Sequence, residues 1–331
     1  MLKKARKERL IWLDIMITLL TLELMSYFYY GMRSVFLSGI CVITGFFAEL
    51  ISIRLMGRKF TADDLTCTSD ALIIAMMFPA VMDYHVSVIA VLFAIIVAKN
   101  LFGGRLNMIF SPAAAAYVFV LTSWERQLLQ YTEPHIKTGL FEEPAALVKS
   151  ASYVFDHTGS FGHTDFEILL GNFSGPSGAV SILLLAVAAV VLIMRRSISA
   201  GAFIGTIFGT GLFAIVTPIV SSRGDSFKYS LVTNMVLFAA IYIVSDVRIA
   251  PKRDYYAFFY GLFIGIISYV LVLTGAKENA IVIVSVLFTP IALGFKHLEK
   301  HIETAAVEGS GEDSADTVTE TEAGEGATVD E

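Results

Sequence analysis

The sequence predicts an all-α polytopic membrane protein of about ten transmembrane helices, arranged as two five-helix halves in an inverted repeat with short or broken helices. Three observations carry that expectation. The 331-residue chain is 56% hydrophobic and only 16% charged, with a mean hydropathy of +0.70, a composition that excludes an ordinary soluble enzyme. Ten apolar runs approach the ~20 residues a helix needs to cross the hydrocarbon layer, although two of them are short. Lys and Arg are distributed unevenly between alternate connections, as they are when one side of a membrane retains positive charge.

In order along the chain, Lys3, Lys4, Arg6, Lys7 and Arg9 lead directly into an apolar run with no small-residue cleavage site, which predicts a retained first helix rather than a signal peptide. The runs fall at 11–30, 34–53, 69–81, 86–102, 112–124, 178–194, 199–220, 231–245, 255–274 and 280–295. The third and fifth are short, which predicts re-entrant or broken helices, or helices capped by polar residues and buried by their neighbours. One connection is long, 125–177, and it divides a membrane domain of 1–302 into halves of about 11–124 and 178–297. Five spans per half would give the halves opposite orientation, the design that places function at their interface. Ser111-Pro112-Ala113-Ala114 and Thr289-Pro290-Ile291-Ala292 echo one another near the ends of the halves.

With the amino terminus inside, 17 of the 24 basic residues lie on the cytoplasmic side. Only Arg33, Arg126, Lys137, Lys149, Arg223, Lys228 and Lys277 lie outside. This predicts a multi-pass protein of the cytoplasmic (inner) membrane with both termini in the cytoplasm and the long connection outside. The net charge of -6 is misleading, because much of the acid lies in 303–331. That tail has almost no aliphatic bulk to offset its ordering entropy and is expected to be a disordered cytoplasmic extension. The lipid bilayer is the expected environment, and no nucleic-acid partner is expected.

Charge, paired glycines and a proline are concentrated between the fourth and fifth runs, in Ala98-Lys99-Asn100-Leu101-Phe102-Gly103-Gly104-Arg105 and on to Ser111-Pro112. Non-helical backbone at membrane depth survives only where protein or water surrounds it. Gly103 and Gly104 permit close backbone approach, and Pro112 begins a helix without losing a needed donor. A tight cytoplasmic turn with a Lys/Arg anchor is the alternative. Asp14, Glu23, Glu49, Asp70 and Asp246 lie in or at the ends of apolar runs and require protein, water or an opposite charge. Asp70 is expected as an N-cap-like acceptor on the third helix, and Asp246 as a partner of Lys252 or Arg253. Each is either an ion-path candidate or a helix-end group. Cys41 and Cys67 are expected to be inert buried thiols, and His85, His135, His157 and His163 surface residues without metal-ligand spacing.

Four ordered segments carry a family resemblance. They are Ala98 to Gly104 with Phe110-Ser111-Pro112-Ala113; Gly175-Pro176-Ser177-Gly178-Ala179-Val180-Ser181 followed by Arg195-Arg196; Tyr242-Ile243-Val244-Ser245-Asp246 with Arg248 and Pro251; and Val286-Leu287-Phe288-Thr289-Pro290-Ile291. Together they resemble the D subunit of the Rnf complex and the B subunit of the sodium-pumping NADH:quinone reductase. The resemblance implies a membrane subunit of an electron-transport complex that couples flavin-mediated redox chemistry to ion translocation. Its implied partners are other membrane subunits of that complex. It implies no catalytic residue of this chain. Its structural and ion-path candidates are Asp70, Lys99, Gly103, Gly104, Ser111, Pro112, Gly175, Gly178, Asp246 and Pro290.

The chain also departs from the family. Ser111 stands where the family has asparagine, Ala179 where it has glutamate and Val247 where it has proline. The third span is shorter by about one helical turn. The family joins an FMN phosphate to the threonine of a Ser/Thr-Gly/Ser-Ala-Thr motif in the long connection. In this chain the nearest counterpart is Lys149-Ser150-Ala151-Ser152-Tyr153, with Ser152 at the acceptor position. These departures predict a divergent member without covalent FMN, leaving non-covalent FMN or riboflavin as the form of flavin open to it. A solute channel or transporter and a cofactor-free membrane anchor are the competing functions for the same scaffold.

Overall fold

The computed structural model describes residues 2–102, 108–144, 146–219, 222–275, 278–299 and 302. Gly103, Gly104 and the 303–331 tail therefore lie outside the described residues. All ten apolar runs are helical. The first five are α1 (Leu2–Tyr30), α2 (Met32–Leu55), α3 (Thr66–Met77), α4 (Tyr84–Leu92), which continues as a π-helix over Phe93–Leu101, and α5 (Pro112–Ser123). The long connection holds only short helices, α6 (Glu125–Leu128), α7 (Ala151–Thr158) and α8 (Asp165–Leu170). The remaining runs are α9 (Ile182–Met194), α10 (Ala200–Val216), α11 (Arg223–Val232), α12 (Val236–Ala239) with a π-helical continuation over Ala240–Val244, α13 (Asp254–Leu273) and α14 (Ala280–Glu299).

Among the described residues, five helices are long and apolar enough to cross a bilayer: α1 from Leu10, α2, the continuous Tyr84–Leu101 helix, α13 and α14. Four more are apolar but shorter, and α11 with α12 forms a span bent by 56°. This corrects the sequence expectation for the eighth run. It is not one helix over 231–245 but two, because Asn234 and Met235 take the left-handed backbone at φ 53° and 56°, which no continuous helix accommodates.

Burial explains the arrangement. Long helices such as α1 bury Leu19 and Leu22 while exposing Ile17, Leu20, Leu24 and Phe28, an apolar outer surface suited to lipid. By contrast, every residue of α3 from Cys67 to Met77 is buried, as is every residue of Ala240–Val244. A helix apolar on all sides belongs in a core, so the two discontinuous spans form the centre and the longer helices surround them.

Each break must satisfy the backbone groups it exposes, since hydrocarbon offers no partner. At the end of α3, Phe78 turns extended. The segment before α9 fills this gap: Gly178 N–H donates to the Met76 carbonyl (2.9 Å) and Ser177 N–H to that of Phe78 (3.1 Å). The Ser177 hydroxyl adds a bond to the Ala75 carbonyl (3.3 Å). Gly178 has to be glycine, because a Cβ there would stand 2.5 Å from that of Met76. At the other break, Asn234 N–H donates to Ser152 Oγ (2.9 Å) and Asn234 Oδ1 accepts from Asn279 N–H (3.0 Å). Both seams lie on the side of the molecule formed by the long connection, the loop face.

The helix pair α10 and α13 packs at backbone contact. A Cβ on Gly205 would lie 2.1 Å from the Phe258 carbonyl oxygen, and one on Gly261 would lie 2.1 Å from that of Ala202. Small residues allow this approach, and Thr210 uses it to donate to the Gly265 carbonyl (3.3 Å). Gly205→Ala is therefore expected to lower stability by about 2 kcal/mol or more through overpacking. Gly39→Ala, where a Cβ meets open space, should be nearly neutral. Thermal unfolding of the two purified variants checks this, and equal melting temperatures would contradict the close packing.

Candidate functional site

Glu49, Asp70, Lys99 and Asp246 collect opposite the loop face, where α3 begins and both π-helical stretches end. Their local geometry repeats. In the first stretch, Asn100 Nδ2 donates to the carbonyl of Ile95, five residues back (2.8 Å). In the second, Ser245 Oγ donates to the carbonyl of Ala240, again five residues back (2.5 Å). Each widened stretch ends on a polar side chain that donates to its own backbone, and each carries charge next to it, Lys99 before Asn100 and Asp246 after Ser245.

The first charge cluster centres on Glu49 of α2, which is wholly buried. Lys99 Nζ lies 3.3 Å from its Oε2, Asn100 Nδ2 donates to the same oxygen (2.9 Å), and Arg58 lies 3.3 Å from Oε1. Lys99 is only 1% exposed, so its charge is acceptable there only because Glu49 pairs with it. Arg58 also binds Asp64. Burial pushes the Asp64 carboxyl up, but hydrogen bonds from Thr61 together with the Arg58 charge outweigh this and hold it below its ordinary value.

The second cluster joins α3 to the segment after the second π-helix. Arg248 donates to Asp70 through Nη1 (3.1 Å) and Nη2 (2.6 Å), and to Asp246 through Nε (2.8 and 3.0 Å). Two sequence expectations are corrected by this arrangement. Asp70 is not an N-cap-like acceptor, because α3 starts at Thr66 and Asp70 lies one turn inside it, aimed at Arg248. Asp246 pairs with neither Lys252 nor Arg253. Its Oδ1 accepts the Arg248 N–H (2.9 Å), a tight turn that brings the guanidinium back over the carboxylate. The N–H groups of Lys252 and Arg253 instead donate to Glu299 of α14. A third contact pairs Asp14 of α1 with Arg195 (2.7 Å) and Ser197 (2.6 Å), just past α9. Glu23 accepts from Ser38 (2.8 Å).

The other candidates have structural roles. Ser111 caps α5 by accepting from Ala114 N–H, and Pro112 is the first residue of that helix. Gly175 packs its α-carbon against Val180, and Pro290 lies within α14 on an exposed side. Cys41 and Cys67 are buried and form no disulfide. Ser152 is 8% exposed, and its hydroxyl accepts the Asn234 N–H at the α11–α12 break. A hydroxyl enclosed in this way does not fit a covalent flavin linkage, which requires it to be presented to a phosphate.

Sequence reasoning misses Arg248, Arg195, Asn234, Glu278 and Asn279 as site residues. Asn279 donates to the Tyr117 hydroxyl (2.8 Å), Ser150 donates to Glu278, and Asn234 donates to Asp156 (2.8 Å). Asn234, Glu278 and Asn279 join the long connection, the α11–α12 break, α5 and the α13–α14 turn into one polar seam.

Fold and site together define a polytopic α-helical membrane protein built around two discontinuous helices, with paired buried charges at one face. The class narrows on comparison with known proteins: the chain belongs to the NQR2, RnfD, RnfE family, whose sequence profile it matches over residues 2–295. It is 25% identical over 267 residues to the D subunit of the Na(+)-translocating ferredoxin:NAD(+) oxidoreductase complex of Acetobacterium woodii, covering 79% of this chain and 80% of that one. The D subunit of the ion-translocating oxidoreductase complex of Vibrio cholerae is 28% identical over 278 residues, 72% and 78% of the two chains. The corresponding Haemophilus influenzae protein is 31% identical over 139 residues, which is 41% of this chain and 38% of that protein.

Proposed function

We propose that this chain is the integral membrane subunit of an ion-translocating electron-transport complex of the Rnf and sodium-pumping quinone reductase kind, and that it carries no covalent FMN. The observation that carries the reading is the family match across residues 2–295, which takes in the whole membrane part. The relatives are named as D subunits of such complexes. Other membrane subunits of a redox complex are accordingly the proposed partners. The enclosed Ser152 hydroxyl supports the second part, and any flavin held by this chain is proposed to be non-covalent.

The residues described above suit a framework for ion movement. Glu49–Lys99 and Asp70–Arg248–Asp246 hold charge in buried positions where α3 and the π-helical stretches end. In this reading the face bearing them is cytoplasmic, as are both termini, and the loop face is outside, in line with the excess of Lys and Arg on the former. The two five-helix halves, 11–124 and 178–297, meet along the Asp70–Arg248 and Asp14–Arg195 contacts.

Two measurements test the proposal. The tagged full chain, solubilised in mild detergent from its own cells, is expected to bring down flavin- or iron–sulfur-bearing membrane subunits. Its intact mass after co-expression with a flavin transferase should equal that of the unmodified chain. Recovery of the chain alone, with solute uptake in reconstituted vesicles, would favour a transporter instead, and one added FMN phosphoester on Ser152 would overturn the absence of covalent flavin. For orientation, a Glu143→Cys variant should react with a membrane-impermeant maleimide on intact cells, since Glu143 is exposed and both native cysteines are buried. Reaction only after lysis would reverse the assignment of faces.

A further inference from the structure

The loop face holds a cavity of about 500 Å³ lined by residues of α6, α7, the end of α13 and the α13–α14 turn, among them Lys149, Asp156, His157 and Glu278. Three carboxylates line it, the exposed Glu125 and, further in, Asp156 and Glu278, and each of the latter two is only half used. Glu278 Oε1 accepts from Ser150, while its Oε2 is buried without a hydrogen-bond partner among the described residues. Asp156 Oδ2 accepts from Asn234, while its Oδ1 is buried and unpartnered in the same sense. Behind them, Tyr131 is 1% exposed and interacts electrostatically with Glu278, with the Asn279 side chain beside its hydroxyl. Buried polar atoms are rarely left unpaired. Two neighbouring carboxylates, each with an oxygen left without a donor, can be satisfied by a cation or a proton.

We propose that Glu278, with Asp156, forms a cation-binding site at the floor of this cavity that takes a proton or a monovalent metal cation from the loop face. No three His, Cys, Asp or Glu side chains among the described residues are placed to hold a metal ion together, so a site for a multivalent metal is not what the geometry offers. The charged groups facing the site are those of the cavity wall and of the core behind it. Lys149 partly offsets the acids, but its ammonium is drawn over the Tyr153 ring (5.1 Å). Glu125, Arg126 and His157 line the same space, and Tyr117 approaches Glu278 from the core side. Burial first, and then the Asp156 charge, push the Glu278 carboxyl up to about 7. Burial raises Asp156 to about 6 against its bond from Asn234. A carboxyl whose folded value is raised favours the folded state below its ordinary value of 4.5, and that contribution is lost as pH rises through about 7. A bound cation would replace what the departing proton supplied. The site does not depend on which redox subunits accompany the chain.

Infrared difference spectroscopy of the purified full chain, titrated from about pH 5 to about pH 9, reads the carboxyl C=O stretch directly. The expected result is a protonated-carboxyl band that disappears with a midpoint near 7 and is missing in Glu278→Gln. Asp156→Asn should move the midpoint of that band downward and provides the same reading should Glu278→Gln fail to fold. Replacing choline chloride by sodium chloride at equal ionic strength separates the two ligands. A midpoint lowered by sodium identifies a metal-cation site, and an unmoved midpoint identifies a proton site. Absence of any band titrating near 7, or a band that persists in Glu278→Gln and is unmoved in Asp156→Asn, would overturn the proposal.

Discussion

The arginine held between Asp70 and Asp246 is the constraint on which the rest of the molecule depends. Asp70 lies on a helix buried on every side from Cys67 onward, and its negative charge is tolerable there only with a cation alongside. The cation comes from a part of the chain 178 residues further on. Arg248 suits the position because its planar fork engages two carboxylates at once, a geometry that a lysine cannot supply. Its own carbonyl accepts from Lys296 of α14 (2.9 Å), so one residue ties α3, the second π-helical stretch and the last helix together. Removal of Arg248 leaves two neighbouring carboxylates without their cation, a cost that fixes the relative placement of the central helices.

The same physical requirement governs the neutral backbone. A span that stops midway must find partners for its last carbonyls and first amides inside the protein. These partners come from distant parts of the sequence: the 175–181 segment closes the end of α3, and Ser152 with Asn279 closes the α11–α12 break. The long connection is therefore part of the membrane fold rather than an appendage, because Ser150 and Ser152 bond to Glu278 of the α13–α14 turn and Asn234 of the α11–α12 break. Ser152, at the position that resembles the family's flavin attachment point, accepts the Asn234 N–H at this break. Its hydroxyl remains, and its hydrogen-bonding capacity is used for packing.

Much of this is legible in the sequence, for reasons that particular residues show. Apolar runs report helices in a bilayer with little ambiguity, and nine of the ten match a single observed helix closely. The short third run marks a buried, interrupted helix. The eighth misleads because Asn234 and Met235 carry no proline or glycine to mark a break, and the left-handed turn there is imposed by Ser152, Asp156 and Asn279. The acids Asp14, Glu49, Asp70 and Asp246 are identifiable as costly, but their partners are not. Charge pairing across more than 170 residues leaves no local signal, and for Asp246 the residue types alone point to Lys252 and Arg253 rather than to the arginine two residues on. Glu278 sits in a short polar turn, where a carboxylate looks solvated until the fold closes over it.

The coupling between Asp70 and Arg248 is the quantity on which this picture stands most directly. A double-mutant cycle built from Asp70→Asn, Arg248→Gln and the combined variant, read by thermal or denaturant unfolding of the purified full chain, isolates that pair from the Asp246 contact. The two substitutions are expected to be strongly non-additive, with a coupling of about 2 kcal/mol. Additivity within about 0.5 kcal/mol would show that the two groups do not depend on each other, and would contradict the central place of the Arg248 contact in the fold.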